Sequence, residues 1–551
     1  MSADASLLFT NARVITIDPL QPRAEALAVA GNRIIFVGSK DEAESFLGPS
    51  THRINAQGCT LLPGFIDGHY HLWIGSAEFD VADLNLVTSL QELTQVLRYH
   101  AQQHPQADWV TGSHLTYSLL PQGEHLTRHH LDQIFSDRPI ALMAYDYHTV
   151  WVNTLGLEQA GLLQADRTGL DSGVVIGEDC LAEGELHEPS AYGCVLQLTG
   201  AWGRAASGLI DLPNAPQNPA QIAEDRALLR HGLELAARYG ITSLHNMDGG
   251  YNQLAFFAGL EDAGELTCRI YVPLSISPDT SYQDLSEALA MRNDFRGRMV
   301  HGGFIKTFMD GVVESKTAFL LDEYVDNPGD FGSALYTPEQ FNALAITADQ
   351  LGLQICVHAI GDAAVRQTLN GYEAAQVKNG KRDSRHRIEH IELIHPDDLE
   401  RFSKLGVLAS MQPLHLPQDE NHLWRQRTGL ARGKYAFAWQ SLRQAGARLV
   451  FGSDWPIVPP GPLPALKTAL TRQPWQPGDP LQRQSLEDFL ASFTHQAAYA
   501  GFEEQQLGQL KPGMLADLVL LNNNIEALPE EEYPAISPVM TVCDGRIVYQ
   551  S

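Results

Sequence analysis

Histidine is the conspicuous residue of this 551-residue chain, occurring 21 times without any tag-like run. Two of them, His69 and His71, stand two apart in LLPGFIDGHYHLW. Side chains two apart in an extended segment share a face, so both imidazoles can aim at one point. Neutral imidazole is the commonest side-chain metal ligand, and a surface loop with two unrelated histidines is the plainer alternative. Further histidines end apolar runs in QICVHAIGD (His358) and RIEHIE (His390), and LVFGSDWP puts Asp454 just past another such run. Lys306, in GGFIKTFMDG, is flanked by apolar residues and shares its face with Phe308 and Asp310. A buried lysine is costly as a cation and tends to be neutral. A neutral amine can take up carbon dioxide as a carbamate, a two-oxygen anion able to bridge two metals. The alternative is a lysine paired with Asp310 or another carboxylate, since buried charges do occur in pairs.

These residues are far apart in sequence, so the elements that carry them must gather them. The middle of the chain alternates short apolar strands with amphipathic stretches, the signature of βα units and a parallel sheet. Strands are expected at 60–66, 241–245, 269–274, 303–309, 353–358, 386–390, 407–411 and 448–452. Eight such strands predict an α/β fold built on a (β/α)8 TIM-type barrel. In that fold the C-terminal strand ends surround one opening, so His69, His71, His358, His390 and Asp454 would converge, with Lys306 pointing inward and Asp310 at the rim. Short strands also occupy both extremes of the chain, with hairpin turns at 31–32 and 544–545. They predict one small β-sandwich domain formed by both termini, residues 1–60 and 505–551, leaving 61–504 to the barrel. About 175 residues separate the first two barrel strands, far more than a βα loop needs. Residues 75–225 are therefore expected to form an insertion subdomain, a lid over the mouth, with a helix near 89–103 and a strand at 140–145. The Pro-rich run 456–464 reads as a stiff element of the mouth.

In this order the motifs resemble the amidohydrolase superfamily of metal-dependent hydrolases, and within it the YtcJ-like branch, amidohydrolase family 3. PGFIDGHYH matches the family's PGFIDxHxH, FIKTFMDG its VKxFxDG, VHAIGD its HAIGD, RIEH its RIEH and GSDWP its GSDxP. LGQLKPGMLADLVLL resembles the closing segment that returns to the small β-domain, and YDYHTVWVNTLGL the DGHSAWVNSKAL of the inserted part. The resemblance implies one metal held by His69, His71 and Asp454, a second held by His358 and His390, and a carbamylated Lys306 bridging them. One or two divalent ions are implied, with zinc best suited to His and carboxylate donors. Asp146 and Tyr147 precede His148 where the family usually has Asp-Gly, and GELHE near Glu188 replaces a usual GVLRE. Those departures concern the substrate pocket.

The chemistry so implied is hydrolysis of a C–N bond in an amide, N-acyl or N-formyl amine, carbamate or cyclic imide, by attack of a metal-activated hydroxide. Asp454 would serve as general base and then acid. The alternatives are another metal-dependent reaction on the same site, such as deamination or decarboxylation, or a catalytically silent scaffold. His148 is the candidate catalytic and substrate-contacting residue of the lid, and His245, Asp310 and Trp455 are candidate substrate contacts. Trp73, Trp109, Tyr145, Tyr147, Trp151, Trp202 and Trp455 would line an apolar pocket, or else form ordinary core. Asp362, in IGDAAV, reads as a helix N-cap. With 38 Lys+Arg against 66 Asp+Glu the net charge is −28. That excess disfavours nucleic-acid and anionic-membrane partners and leaves a small-molecule substrate. No apolar run approaches a membrane span, the opening residues lack a signal-peptide pattern, and six cysteines show no CxxC spacing. A cytoplasmic protein is expected, and the resemblance is compatible with a homodimer.

Overall fold

The computed structural model describes residues 4–121, 124–164, 173–206, 218–278, 280, 285–417 and 422–551. The chain forms two compact units, one of Met1–Tyr70, Leu233–Asp310 and Phe319–Ser551, the other of His71–Gly232 and Gly311–Ala318.

In the first unit, strands from both ends of the chain share a six-stranded sheet. Arg13–Ile15, Arg23–Ala24 and Thr60–Pro63 lie beside Leu518–Leu521, Pro538–Cys543 and Arg546–Gln550. Leu62 pairs antiparallel with Val519, and Cys543 with Arg546 across the expected hairpin. A four-stranded sheet of Leu7–Thr10, Ala26–Ala30, Arg33–Gly38 and His52–Asn55 accompanies it. Phe9, Val14, Leu27, Leu61, Leu518 and Met540 meet in one buried cluster. Each large side chain so buried contributes about 1.5–3 kcal/mol, and both ends of the chain are needed to complete the cluster.

The same unit contains eight parallel strands, hydrogen-bonded in sequence order: Phe65–Tyr70, Ile241–Asn246, Arg269–Ser275, Val300–Phe308, Gln354–Ala359, Arg387–His390, Leu408–Met411 and Arg448–Phe451. They make a nearly closed α/β barrel. The first differs from its expected bounds. The run 60–66 divides at Gly64, and Thr60–Pro63 belongs to the terminal sheet. Pro63–Gly64 marks the break, but the apolar residues on either side of it bury equally well in either sheet. The barrel closes through the segment just beyond strand eight. Asp454 N–H donates to the His69 carbonyl (2.7 Å), and Tyr70 bridges Trp455. Ser453 donates both its N–H (2.9 Å) and its Oγ–H (2.6 Å) to Asp67, which also accepts from His69 N–H (3.2 Å). Gly452 permits this approach, since a Cβ there would lie 2.3 Å from the His69 nitrogen.

Arg269, on strand three, ties the barrel to the terminal sheet. It is 1 % exposed and gives a two-pronged hydrogen bond to Asp517 (3.1 and 3.0 Å) and a third to Asp544 (3.3 Å). Asp362 is the first residue of the helix Asp362–Asn379, not its N-cap, which is Gly361. Its carboxylate instead accepts Leu321 N–H at 2.8 Å.

The second unit has its own six-stranded sheet, in the order Val174–Ile176, Ala182–His187, Thr149–Val152, Ile140–Ala144, Val110–Leu115 and Ala82–Asp83. The helix Leu90–Gln103 starts at Ser89, whose side chain accepts Glu92 N–H, and buries Leu93, Leu97 and Ala101. That i, i+4 stripe is what its sequence predicts. Trp151 belongs to the core of this unit, Trp109 packs at Gly156, and Trp202 is fully buried. For these three the core reading holds.

Candidate metal centre

His69 lies in strand one with no exposed surface. Its Nδ1 is 2.8 Å from Oε2 of Glu389. A carboxylate can only accept, so Nδ1 carries the proton and Nε2 keeps its lone pair. Nε2 stands 3.3 Å from Oδ1 of Asp454. Glu389 is held in turn by Arg387, with Nε 2.8 Å from Oε1. A carboxylate behind a histidine fixes its tautomer and raises its basicity as a ligand, the arrangement found around metal-bound histidines. Glu389 is a residue of the candidate site that motif reasoning passed over. The signal for it was present in RIEH, because two charges on one face of a buried strand must compensate each other.

His390 ends strand six. Its Nδ1 stands 3.8 Å from Oδ2 of Asp454, and its ring lies 4.8 Å from that of His69 and 4.4 Å from that of His358, centre to centre. Burial drives its pKa well below the ordinary histidine value, and the neighbouring His358, His69, His415 and Lys306 push the same way. It is therefore a neutral ring, as metal ligation requires. His390 (φ 75°), Ile391 (φ 51°) and Asp454 (φ 64°) all adopt left-handed backbone. For a β-branched residue such as Ile391 this is costly, and strain of this kind concentrates at functional sites.

Lys306 lies in strand four and is 1 % exposed. Its Nζ sits 4.2 Å from the centre of the Phe308 ring. Burial lowers its pKa, against the opposing pull of Glu389 and Asp454. Asp310 stands two residues past the end of strand four. It is fully buried, and its carboxylate accepts the backbone N–H groups of Phe319 (2.8 Å), Ile360 (3.0 Å) and Gly361 (2.9 Å). Those bonds shape the chain after strand five, and His358 Nε2 is 4.0 Å from the same carboxylate. Asp310 is thus a fastening of the scaffold.

His245 is also occupied within the scaffold. Arg387 Nη1–H donates to its Nδ1 at 2.8 Å, and Tyr271 meets the ring edge-on at 5.6 Å. Burial and the Arg387 charge push its pKa far down. Trp455 is buried and stacks on Tyr70 at 5.0 Å. In the other unit, His71 follows strand one directly and precedes the helix Leu72–Ala77. His148 is buried there, with Nδ1 2.8 Å from Oε2 of Glu188.

A residue absent from the sequence reading completes the cluster. His415 follows strand seven, in the turn Pro413–His415, and its ring stacks on His390 at 5.7 Å with planes 9° apart. Its Nε2 is 3.5 Å from Oδ2 of Asp454. His390 Nδ1 and His415 Nε2 are both buried and make no hydrogen bond. Buried ring nitrogens without partners are rare and call for an explanation. Histidines converging on a carboxylate are the donor set of a divalent metal site, and the residues present fit one.

The family model described as "Amidohydrolase family" matches residues 53–549. The chain belongs to the amidohydrolase family. It is 27 % identical to the putative amidohydrolase YtcJ of Bacillus subtilis (strain 168), over 96 % of each chain. It is 24 % identical to the N-substituted formamide deformylase of Arthrobacter pascens, over 100 % of this chain and 99 % of that one. Among solved structures, an uncharacterized metal-dependent hydrolase from Pyrococcus furiosus superposes with a TM-score of 0.70 at 26 % identity, over 93 % of this chain and 98 % of that one. The expected family is thus shown, and with it a hydrolase on an α/β barrel. No helix among the described residues of this amidohydrolase is long and apolar enough to cross a membrane.

Proposed function

We propose that this amidohydrolase cleaves a C–N bond of a small substrate: an amide, an N-acyl or N-formyl amine, a carbamate or a cyclic imide. The observation that carries the reading is the convergence of buried ring nitrogens on Asp454, with Nε2 of His69 at 3.3 Å and Nδ1 of His390 at 3.8 Å. Similarity to a formamide deformylase supports the C–N bond as the target. His69, His71 and Asp454 would hold one ion, zinc by donor type, and His358 and His390 a second, with Lys306 as a bridging carbamate. Burial lowers the Lys306 pKa and so favours the neutral amine that carbamate formation needs. A divalent metal held there lowers the pKa of water toward ~7 and polarises a carbonyl. The chain's own part is to receive and return the proton. Asp454 accepts it from the attacking water and delivers it to the departing amine. His148, with its tautomer set by Glu188, is proposed to contact the substrate. We read the two terminal sheets as one sandwich domain and the inserted unit as a lid. The cytoplasm is proposed as the location, on six unpaired cysteines, and a homodimer as the assembly.

Protein purified without chelator should contain zinc or a similar metal and hydrolyse members of an N-formyl, N-acyl and cyclic amide panel. Turnover should vanish with chelator and return with metal. Asp454→Asn should fold and lose turnover. Full activity in chelator would sink the metal-dependent reading, retained turnover in Asp454→Asn would refute the proton role, and ammonia as the product would point to deamination.

A further inference from the structure

The third nitrogen near Asp454 belongs to neither ion as assigned above. His415 Nε2 and His390 Nδ1 stand 3.5 and 3.8 Å from the same Asp454 oxygen, and the three donor atoms lie within 4.8 Å of one another. Those separations are too long for hydrogen bonds, and neither nitrogen makes one. They do suit donors sharing one ion. Ligands about 2.0–2.2 Å from zinc stand roughly 3.3–3.6 Å apart at a tetrahedral angle.

The surroundings of His415 resemble those of His69, with the carboxylate farther off, at 3.6 against 2.8 Å. Behind His69 stands Glu389, held by Arg387. Behind His415 stands Glu392, with Oε1 3.6 Å from Nδ1. Glu392 is held by the indole of Trp424, whose Nε1–H donates to Oε2 at 2.6 Å. The two carboxylates flank His390 in the single segment RIEHIE. A buried carboxylate pinned on one side and facing a histidine on the other is what presents the far ring nitrogen to a metal.

We infer that His415 is a metal ligand, joining His390 on the second ion with Asp454 serving both ions, and that Glu392 is the positioning residue that orients its ring. The inference rests on the metal-dependent reading. Strand seven thereby supplies a ligand through the turn that follows it, and RIEHIE supplies one ligand together with the orienting carboxylates of two others.

The test is a Co2+ titration of the metal-free full-length chain, read by visible ligand-field absorption and by competition with a chromogenic chelator. Circular dichroism confirms the fold of each variant. His415→Gln removes a nitrogen donor, so the band should change shape and affinity should fall by more than the roughly 10–100-fold typical of an orienting partner. Glu392→Gln keeps the nitrogen, so it should lose roughly 10–100-fold with the band shape retained. A folded His415→Gln with the wild-type band and affinity overturns the inference. Should that variant not fold, Glu392→Gln decides, and unchanged affinity there overturns it. Absence of any ligand-field band in the wild-type chain would sink the metal-dependent reading itself, which separates the two failures.

Discussion

At the scale of single residues, the centre depends on what stands behind its histidines as much as on the histidines themselves. Glu389 has no exposed surface and faces both His69 Nδ1 and Arg387. Glu389→Gln keeps the shape but removes the charge, so His69 loses the partner that fixes its tautomer. Metal affinity should fall by roughly 10–100-fold in chelator competition, and unchanged affinity would show that Glu389 does not orient His69. The folded state should also weaken, because Arg387 would be left buried without its counter-charge. His69, His358, His390 and Asp454 were legible from their place at the ends of apolar runs. Glu389, Glu392 and His415 were not, although His415 also lies shortly past a barrel strand. RIEH signals that Glu389 offsets Arg387, but which partner each of the three meets across the barrel is stated nowhere local to the sequence. Asp310 and His245 show the converse. Both stand where a substrate contact is expected, and the structure shows how each is held: Asp310 by the backbone of Phe319 and Ile360, His245 by Arg387.

At the scale of elements, the barrel strands were readable because both of their faces are buried, which leaves near-continuous apolar runs. The change of sheet at Gly64 was marked by Pro63–Gly64, but which sheet each half joins depends on distant partners. The sheet of the inserted unit was mostly missed: its strands are two to six residues long, as in Ala82–Asp83 and Val174–Ile176, too short for an alternation to register. Arg269 carries a testable consequence at this level, because it fastens strand three to Asp517 and Asp544. Arg269→Met would leave Asp517 in the interior with its guanidinium partner gone, while Asp544 keeps Arg298 at 2.9 Å. Denaturant unfolding should show a loss of about 3–5 kcal/mol, and Asp517→Asn added to it should restore part. A loss under 1 kcal/mol would mean that the contact does not hold the barrel to the terminal sheet.

For the whole molecule, stability should carry an acid limb traceable to the back of strand five. Burial alone would raise the Asp349 carboxyl, but hydrogen bonds from His386 and Asn379 and the charge of Arg382 outweigh it and hold the pKa at about 2, against the usual 3.8. A carboxylate with a depressed folded-state pKa stabilises at every pH above its unfolded value and loses that contribution as the pH falls. The loss should therefore develop between 3.8 and about 2. Thermal melts across that range should show a shallower acid slope for Asp349→Asn than for the parent chain, and parallel slopes would remove Asp349 from the account. The sequence by itself determined the alternation of strand and helix, the apolar runs that become barrel strands and the histidines and carboxylate at their ends, because these follow from local burial and periodicity. Only the tertiary structure decided which strand changes sheets, how Asp454 closes the barrel onto His69, and which buried charges compensate one another. Parallel pairing and charge compensation join residues hundreds of positions apart. Their energies arise from contact and desolvation in the folded interior, where no local pattern records them.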